Sequence, residues 1–189
     1  MDNQFKEVFG AAIAAVGTII SAVGSTPSLP LPENKKDAYN LWGNVLQASG
    51  NALEADGQEG PSLEKTGNEL QAVGNVTVIA GLVQVSDEIN NARLVNTGNW
   101  IQALGGLVSL ADEVSDGSAP GQAEAIIGNL LQAIGNSMQA ISGIYELKKS
   151  GDQPMSESIY YEQMGVYGSW IQAVGSVLSL LGQIKEEQQ

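Results

Sequence analysis

The sequence contains no cysteine and no histidine. Disulfides, thiolate or imidazole chemistry and the usual zinc sites are therefore excluded. No serine lies in a nucleophile-elbow pattern, and no GxxxxGK[ST] phosphate-binding loop occurs. Adjacent acidic residues such as Asp112 and Glu113, with Asp116 nearby, are interpreted as helix ends, because neighbouring side chains on a helix point in different directions. We predict that the chain is not an enzyme and has no catalytic residue, metal site or cofactor.

Basic residues are also scarce. Eight Lys and Arg face 21 Asp and Glu, which gives a formal net charge of -13. Nucleic acid is not expected as a partner, because binding to phosphates needs a basic surface. The same balance disfavours attraction to anionic lipid headgroups. Aromatic residues make up only 5% of the chain, so we expect an interior of small and aliphatic side chains.

The apolar segment Phe9–Gly24 resembles the core of a signal peptide. However, Asp2, Lys6 and Glu7 precede it, and they do not form the positive region that a signal peptide needs. The segment is also shorter than the roughly 18 apolar residues expected of a transmembrane helix. We therefore predict a structural first helix with no cleaved signal, and the cytoplasm is the favoured compartment.

One motif recurs six times along the chain: Gly, two residues, an aliphatic residue, one residue, Ala, one residue, Gly. Successive copies begin 33, 24, 31, 30 and 40 residues apart, a period typical of helical repeats. In five copies a glutamine follows the aliphatic residue, at Gln47, Gln71, Gln102, Gln132 and Gln172. The copies are GAAIAAVG from Gly10, GNVLQASG from Gly43, GNELQAVG from Gly67, GNWIQALG from Gly98, GNLLQAIG from Gly128 and GSWIQAVG from Gly168.

Apolar spacing within the motif predicts helices. Ile101, Leu104 and Val108 share one helical face, whereas strict alternation fails. Prolines precede several copies, where they are tolerated at helix starts. The prediction is an all-α antiparallel bundle of six helices in one domain, residues 1–189, with helices at about 3–24, 33–55, 62–85, 87–114, 121–148 and 156–186.

Each repeated glycine destabilises a helix by about 0.5–1 kcal/mol relative to alanine. Because glycines seven residues apart return to nearly the same helical face, we predict a groove on each helix into which another backbone fits closely. This predicted packing seam comprises Gly10, Gly17, Gly43, Gly50, Gly67, Gly74, Gly98, Gly105, Gly128, Gly135, Gly168 and Gly175.

Charge is nearly absent from the repeats. The face opposite the aliphatic stripe carries Asn, Gln, Ala and Ser, such as Asn129, Gln132 and Ala133. Two interpretations stay open. In the favoured one the helices pack on two sides within one bundle. In the other the amide face docks against further copies of the chain or another helical protein.

Aromatic residues recur at related positions. Trp42, Trp100 and Trp170 lie beside or two residues after a repeat glycine. We predict that they cover small residues in the core; the alternative is that they anchor the chain at a membrane interface or in a partner groove. Four tyrosines around the last connection form a candidate interaction patch: Tyr145, Tyr160, Tyr161 and Tyr167.

The repeated Gly–Asn, Gln–Ala and Gly positions resemble an uncharacterised family of short repetitive proteins from spore-forming bacilli, a domain of unknown function. The resemblance covers essentially the whole chain. The first copy departs from it with Ala11 and Ala14 in place of Asn and Gln, and the last has Ser169. It implies no activity and no site.

The sequence therefore favours a non-enzymatic structural or protein-interaction protein that self-associates through small-residue helix faces or binds another helical protein. A first alternative is a soluble helical protein that inserts into membranes, in the manner of pore-forming or holin-like proteins. A second is a carrier of a small apolar ligand, with the glycines lining a tunnel.

Overall fold

A computed structural model describes residues 2–84, 87–115, 120–148 and 155–186. These residues form an all-α bundle, which confirms the predicted fold class. Each observed boundary in the described residues lies within two residues of the predicted one. The helices are α1 (Asn3–Gly24), α2 (Glu33–Gly57), α3 (Leu63–Val83), α4 (Glu88–Ser115), α5 (Gln122–Lys148) and α6 (Met155–Glu186).

Local hydrogen bonds explain where two of the helices begin. The Ser62 hydroxyl accepts a hydrogen bond from the Lys65 backbone N–H at 3.0 Å and caps α3. Before α4, the Asp87 carboxylate accepts from the Asn90 backbone N–H at 2.9 Å. Gly60 and Gly121 have positive φ angles in the connections before α3 and α5, a conformation that favours glycine.

The six helices form a closed ring. Among the described residues each helix packs only against its neighbours in the chain, and α6 closes the ring by packing against α1. Neighbours are antiparallel. The starts of α1, α3 and α5 therefore lie at one end of the ring, called end A, and those of α2, α4 and α6 at the other, called end B. Contacts at end A join neighbouring helices: Lys6 with Asp56, Lys185 with Glu124, and Gln183 with Glu7.

The closest packing occurs inside three hairpins, α1–α2, α3–α4 and α5–α6. A Cβ atom added to any of the twelve predicted seam glycines would lie 2.5–2.8 Å from the backbone oxygen of another seam glycine on the partner helix. The glycines thus form six reciprocal pairs: Gly10 with Gly50, Gly17 with Gly43, Gly67 with Gly105, Gly74 with Gly98, Gly128 with Gly175, and Gly135 with Gly168. All of these contacts are within one chain.

The interior differs from the expected mixture of small and aliphatic side chains. The buried apolar residues in the described part of the chain are nine alanines and Val78. The largest fully buried side chains are Asn75, Asn136, Ser109 and Ser169. The expectation was correct for the small residues and wrong for the aliphatic ones, because the aliphatic side chains of the described helices are half-buried between helices or exposed, with the exception of Val78.

Candidate functional site: a polar axis in an apolar exterior

Amide side chains line the inside of the ring. The positions one, four and eight residues after the first glycine of each motif are spaced like the inward positions of a heptad. In this chain they hold mainly Asn and Gln, and all five repeat glutamines are buried. The amide face therefore packs within the bundle, in agreement with the favoured interpretation.

Three of these glutamines meet across the ring, one from the second helix of each hairpin. The Nε2 of Gln172 donates to Oε1 of Gln47 at 2.9 Å and to Oε1 of Gln102 at 3.3 Å. The amide of Gln47 also donates to the Ser21 hydroxyl at 3.1 Å. We call Gln47, Gln102 and Gln172 the amide layer. It is the point at which side chains cross the axis.

Cavities lie along the axis on either side of the amide layer. The cavity on the end A side measures about 30 Å³, and residues of all six helices line it, including Gln71, Ser109 and Gln132. The cavity on the end B side measures about 140 Å³ and is also lined by all six helices. Further towards end B, a wider groove of about 610 Å³ opens to solvent between α4, α5 and α6. Polar atoms thus dominate the linings of both cavities, whereas apolar atoms make up most of the lining of the groove.

Several buried polar atoms facing this space lack a hydrogen-bond partner within the protein. They include the Ser109 hydroxyl, beside the first cavity, and Nε2 of Gln102, beside the second; both residues are at most 2% exposed. An unpaired buried polar group costs roughly 1–3 kcal/mol. A bound water needs about 10–15 Å³ of volume accessible to its centre, so both cavities have room for at least one water. The axis is therefore suited to water or a small polar guest.

The cavity towards end A is acidic. Glu54, Glu64 and Glu113 line it, and the linings of both axial cavities include no lysine or arginine. Burial, together with the negative charges of Glu113 and Glu186, raises the pKa of Glu64 to about 8. Burial also raises the pKa of Glu54. In the part of the chain that the structure describes, no group of three or more acidic residues is placed to hold a metal ion.

The exterior of the ring is apolar over its middle. Each helix has a charge-free segment between its charged ends: 8–24, 38–53, 70–83, 94–111, 125–145 and 163–184. Large apolar side chains in these segments are exposed on all six helices. We call this set the apolar belt: Phe9, Val16, Ile19, Tyr39, Trp42, Val73, Val76, Leu82, Val83, Trp100, Leu104, Leu107, Ile127, Leu130, Ile134, Ile141, Tyr167, Trp170, Val174 and Leu181.

The prediction that the tryptophans cover the core was wrong. Trp42 is 62% exposed, and Trp100 and Trp170 are about 40% exposed. All three lie on the second helix of a hairpin and in the half of the charge-free segment nearer end B. The indole N–H of Trp170 donates to the Thr26 hydroxyl, just beyond the end of α1, at 3.0 Å. The core has no room for them because small residues bring the helices too close together.

Three of the four predicted patch tyrosines cluster near end B. The rings of Tyr145 and Tyr161 stack with centroids 4.0 Å apart, and Tyr160 packs edge-on against Tyr161. Burial and nearby Glu157 and Glu146 raise the pKa of the Tyr145 phenol. Tyr167 is exposed and lies beside a different groove, with Thr26 and Pro27. The four residues are thus split between a cluster of three and a single side chain.

Two helices are long and apolar enough to cross a membrane by length and composition: Asn3–Gly24, half of whose most apolar window is buried, and Met155–Glu186, a third of whose window is buried. The other four carry inward Asn and Gln residues that lower their mean hydropathy without affecting the outer surface.

Comparison with known families gives one result. The model of a family of unknown function, DUF6944, matches residues 5–180. This agrees with the resemblance to a domain of unknown function, while the expected origin in spore-forming bacilli stays a prediction. No curated protein and no solved structure matches the chain.

Proposed function

The chain belongs to DUF6944, a family of unknown function, and we propose that it is a membrane-embedded helical barrel. Among the three functions that the sequence left open, this is closest to the membrane-inserting protein. The observation that carries the proposal is the inverted polarity of the ring: buried amides surround the axis, while large apolar side chains are exposed on every helix.

The distribution of the apolar belt supports a lipid environment. A water-soluble monomer seldom exposes apolar patches larger than a few hundred Å². A protein partner would cover one side of the ring, whereas acyl chains contact all of it. At about 1.5 Å per residue the charge-free segments are roughly 20–33 Å long, similar to a hydrocarbon core of about 30 Å.

The helix packing is also of the kind by which helices associate within a lipid bilayer. Association there gains little from the hydrophobic effect, so helices rely on small residues that bring their backbones together. The six reciprocal glycine pairs provide such contacts within each hairpin. They do not depend on burying large aliphatic side chains, and the described core has almost none.

The acidic composition is compatible with this proposal because of where the charges lie. Charged residues flank the charge-free segments and gather at the two ends of the ring, where headgroups and water would meet them. The inward Asn and Gln residues, which argue against membrane insertion in a hydropathy profile, hydrogen-bond along the axis and away from the apolar belt.

A second candidate is the self-associating structural protein, because further copies of the chain would also cover the apolar belt. It predicts defined water-soluble oligomers that form without lipid. The apolar-ligand carrier has less support, since amides, hydroxyls and carboxylates dominate the lining of both axial cavities.

Flotation with liposomes tests the proposal. The purified full chain should float with neutral phosphatidylcholine vesicles and resist extraction with alkaline carbonate. Lysine near the middle of a spanning helix costs about 2.5–3.5 kcal/mol, so the double variant Ile134→Lys, Val174→Lys should lose most of the floating fraction.

Ala123→Lys is the matched control, because Ala123 is exposed on α5 but precedes its charge-free segment. It should float like the unmodified chain. A chain that never floats, at neutral or acidic pH, and sediments as a monomer in buffer would refute the membrane proposal. Soluble oligomers of fixed size would instead support the second candidate.

A further inference from the structure

We infer that the axis of the barrel is a path for small monovalent cations, closed in this structure at the amide layer. The inference rests on the membrane proposal and deepens it. The candidate path begins at the acidic cavity near end A, crosses Gln47, Gln102 and Gln172, and continues through the second cavity to the open groove at end B.

The lining along this path supplies oxygen and amide groups at every level. On the end A side, Asn68, Gln71 and Gln132 surround the first cavity. On the end B side, Asn44 and Asn99 are among the residues that line the second cavity. Hydroxyl and carbonyl oxygens that replace water around an ion are the groups by which channels lower the cost of leaving bulk water.

Unpartnered polar atoms show that these cavities are not filled by the protein's own hydrogen bonds. The Ser109 hydroxyl beside the first cavity and Nε2 of Gln102 beside the second are almost completely buried and have no protein partner. Either group can bind a water that solvates a passing ion. Such a pair of atoms, one on each side of the amide layer, is expected of a hydrated path and not of a packed core.

The charge of the side chains that line the path determines whether it favours cations or anions. Glu113 lines the cavity at end A together with Glu54 and Glu64, whose raised pKa values make them fully negative only at alkaline pH, and Glu146 and Glu162 line the groove at end B. No lysine or arginine appears in the linings of these three spaces. Acidic groups at the mouths of a pore raise the local concentration of cations and repel anions.

The amide layer spans the axis with two hydrogen bonds between helices that are not neighbours and is therefore the expected gate. Gln172 donates to both other glutamines, and its Oε1 accepts from Nε2 of Gln139 at 2.9 Å. Shortening Gln172 to alanine removes the donor of both crossing hydrogen bonds and opens the axis. Gln172→Leu keeps the bulk but makes the crossing apolar, and an apolar constriction excludes water.

The test uses the full chain reconstituted in phosphatidylcholine vesicles, with dyes that report potassium and proton fluxes separately. We expect a several-fold rise in cation flux for Gln172→Ala, and also for Gln102→Ala as a second opening variant, with Gln172→Leu no faster than the unmodified chain. Gln163→Leu is the matched control, because Gln163 is on the same helix but exposed; its flux should be unchanged. At about pH 9, above the pKa of about 8 of Glu64, Glu54→Gln with Glu64→Gln should reduce the preference for potassium over chloride in the Gln172→Ala background.

Flotation of the same vesicles separates the two proposals. Vesicles that carry folded, helical Gln172→Ala and Gln102→Ala chains but show no flux above empty vesicles would overturn the cation path and leave the membrane barrel standing. A chloride flux as large as the potassium flux would also overturn it. If the chain does not float, both proposals fail. Flux of protons without potassium would narrow the cation to the proton.

Discussion

The glycine pair Gly135–Gly168 allows a sharp test of the packing seam. A Cβ atom on Gly135 would lie 2.5 Å from the backbone oxygen of Gly168 and 2.6 Å from the backbone nitrogen of Gln172. Both contacts are with backbone atoms, which cannot rotate away. The two helices of the α5–α6 hairpin must therefore separate by several tenths of an ångström along the seam.

We expect Gly135→Ala to destabilise the protein by about 1–3 kcal/mol. Overpacking typically costs about 1–3 kcal/mol; two backbone contacts this short place Gly135→Ala in the upper part of that range, about 2–3 kcal/mol, and the gain in helix propensity offsets at most about 1 kcal/mol of it. A change of 1 kcal/mol corresponds to roughly 2–4 °C in a domain of this size, so Tm should fall by about 2–12 °C. Circular dichroism melts in the medium that keeps the chain monodisperse would measure it.

Gly143→Ala is the matched control on the same helix. A Cβ atom there would first meet the Asn96 side chain, at 3.3 Å, and no backbone atom is among its nearest neighbours. The Asn96 side chain can move slightly, so this variant should be neutral or up to about 1 kcal/mol more stable. If Gly135→Ala stabilises the protein as much as Gly143→Ala does, close backbone packing at the seam is refuted.

Three further predictions concern single side chains. Gly74→Leu should destabilise more than Gly74→Ala, because a Cβ atom alone would lie 2.8 Å from the Gly98 backbone oxygen; equal Tm values would contradict this. Ser62→Ala should cost about 0.5–2 kcal/mol in thermal melts through loss of the α3 cap, and no change would mean that the cap contributes nothing. The raised pKa of Glu64, about 8, means that this group binds a proton more tightly in the folded chain than in the unfolded chain; its contribution to stability should therefore be greatest below about pH 4.5 and fall as the pH rises towards about 8. Glu64→Gln should flatten that decline in Tm without abolishing it, since the pKa of Glu54 is also raised, and an unaltered slope would contradict the assignment.

The helices themselves were predictable from the sequence. Apolar spacing and the repeat placed all six within two residues of their described boundaries, because these signals act within a few turns of chain. The position of the glycines on one face per helix was also readable, since seven residues make nearly two turns. That each seam glycine faces another seam glycine of the same hairpin required the register between helices, and no local pattern supplies that register.

The amide face lies within the bundle as expected, whereas the position of the large apolar side chains was predicted wrongly. Trp42, Trp100 and Trp170 were expected inside on the general rule that large apolar residues are buried, yet all three are exposed. A signal was present in the sequence: Asn and Gln occupy the heptad-spaced positions that normally face a core. The same pattern is compatible with helices whose amides face outward and with helices whose amides face inward, and the packing of the six helices decides between them.

The sequence by itself determined the number of helices, their approximate ends, the glycine-bearing face of each and the absence of cysteine and histidine chemistry. Only the tertiary structure decided that the ring closes through α1 and α6, that three glutamines from different hairpins meet on its axis, and that the large apolar side chains lie outside the core. The physical reason is the distance along the chain over which each interaction acts. Helix formation depends on neighbours a few residues apart, whereas the amide layer joins Gln172 to Gln47 across 125 residues of chain, and only the closed ring brings them within hydrogen-bonding distance.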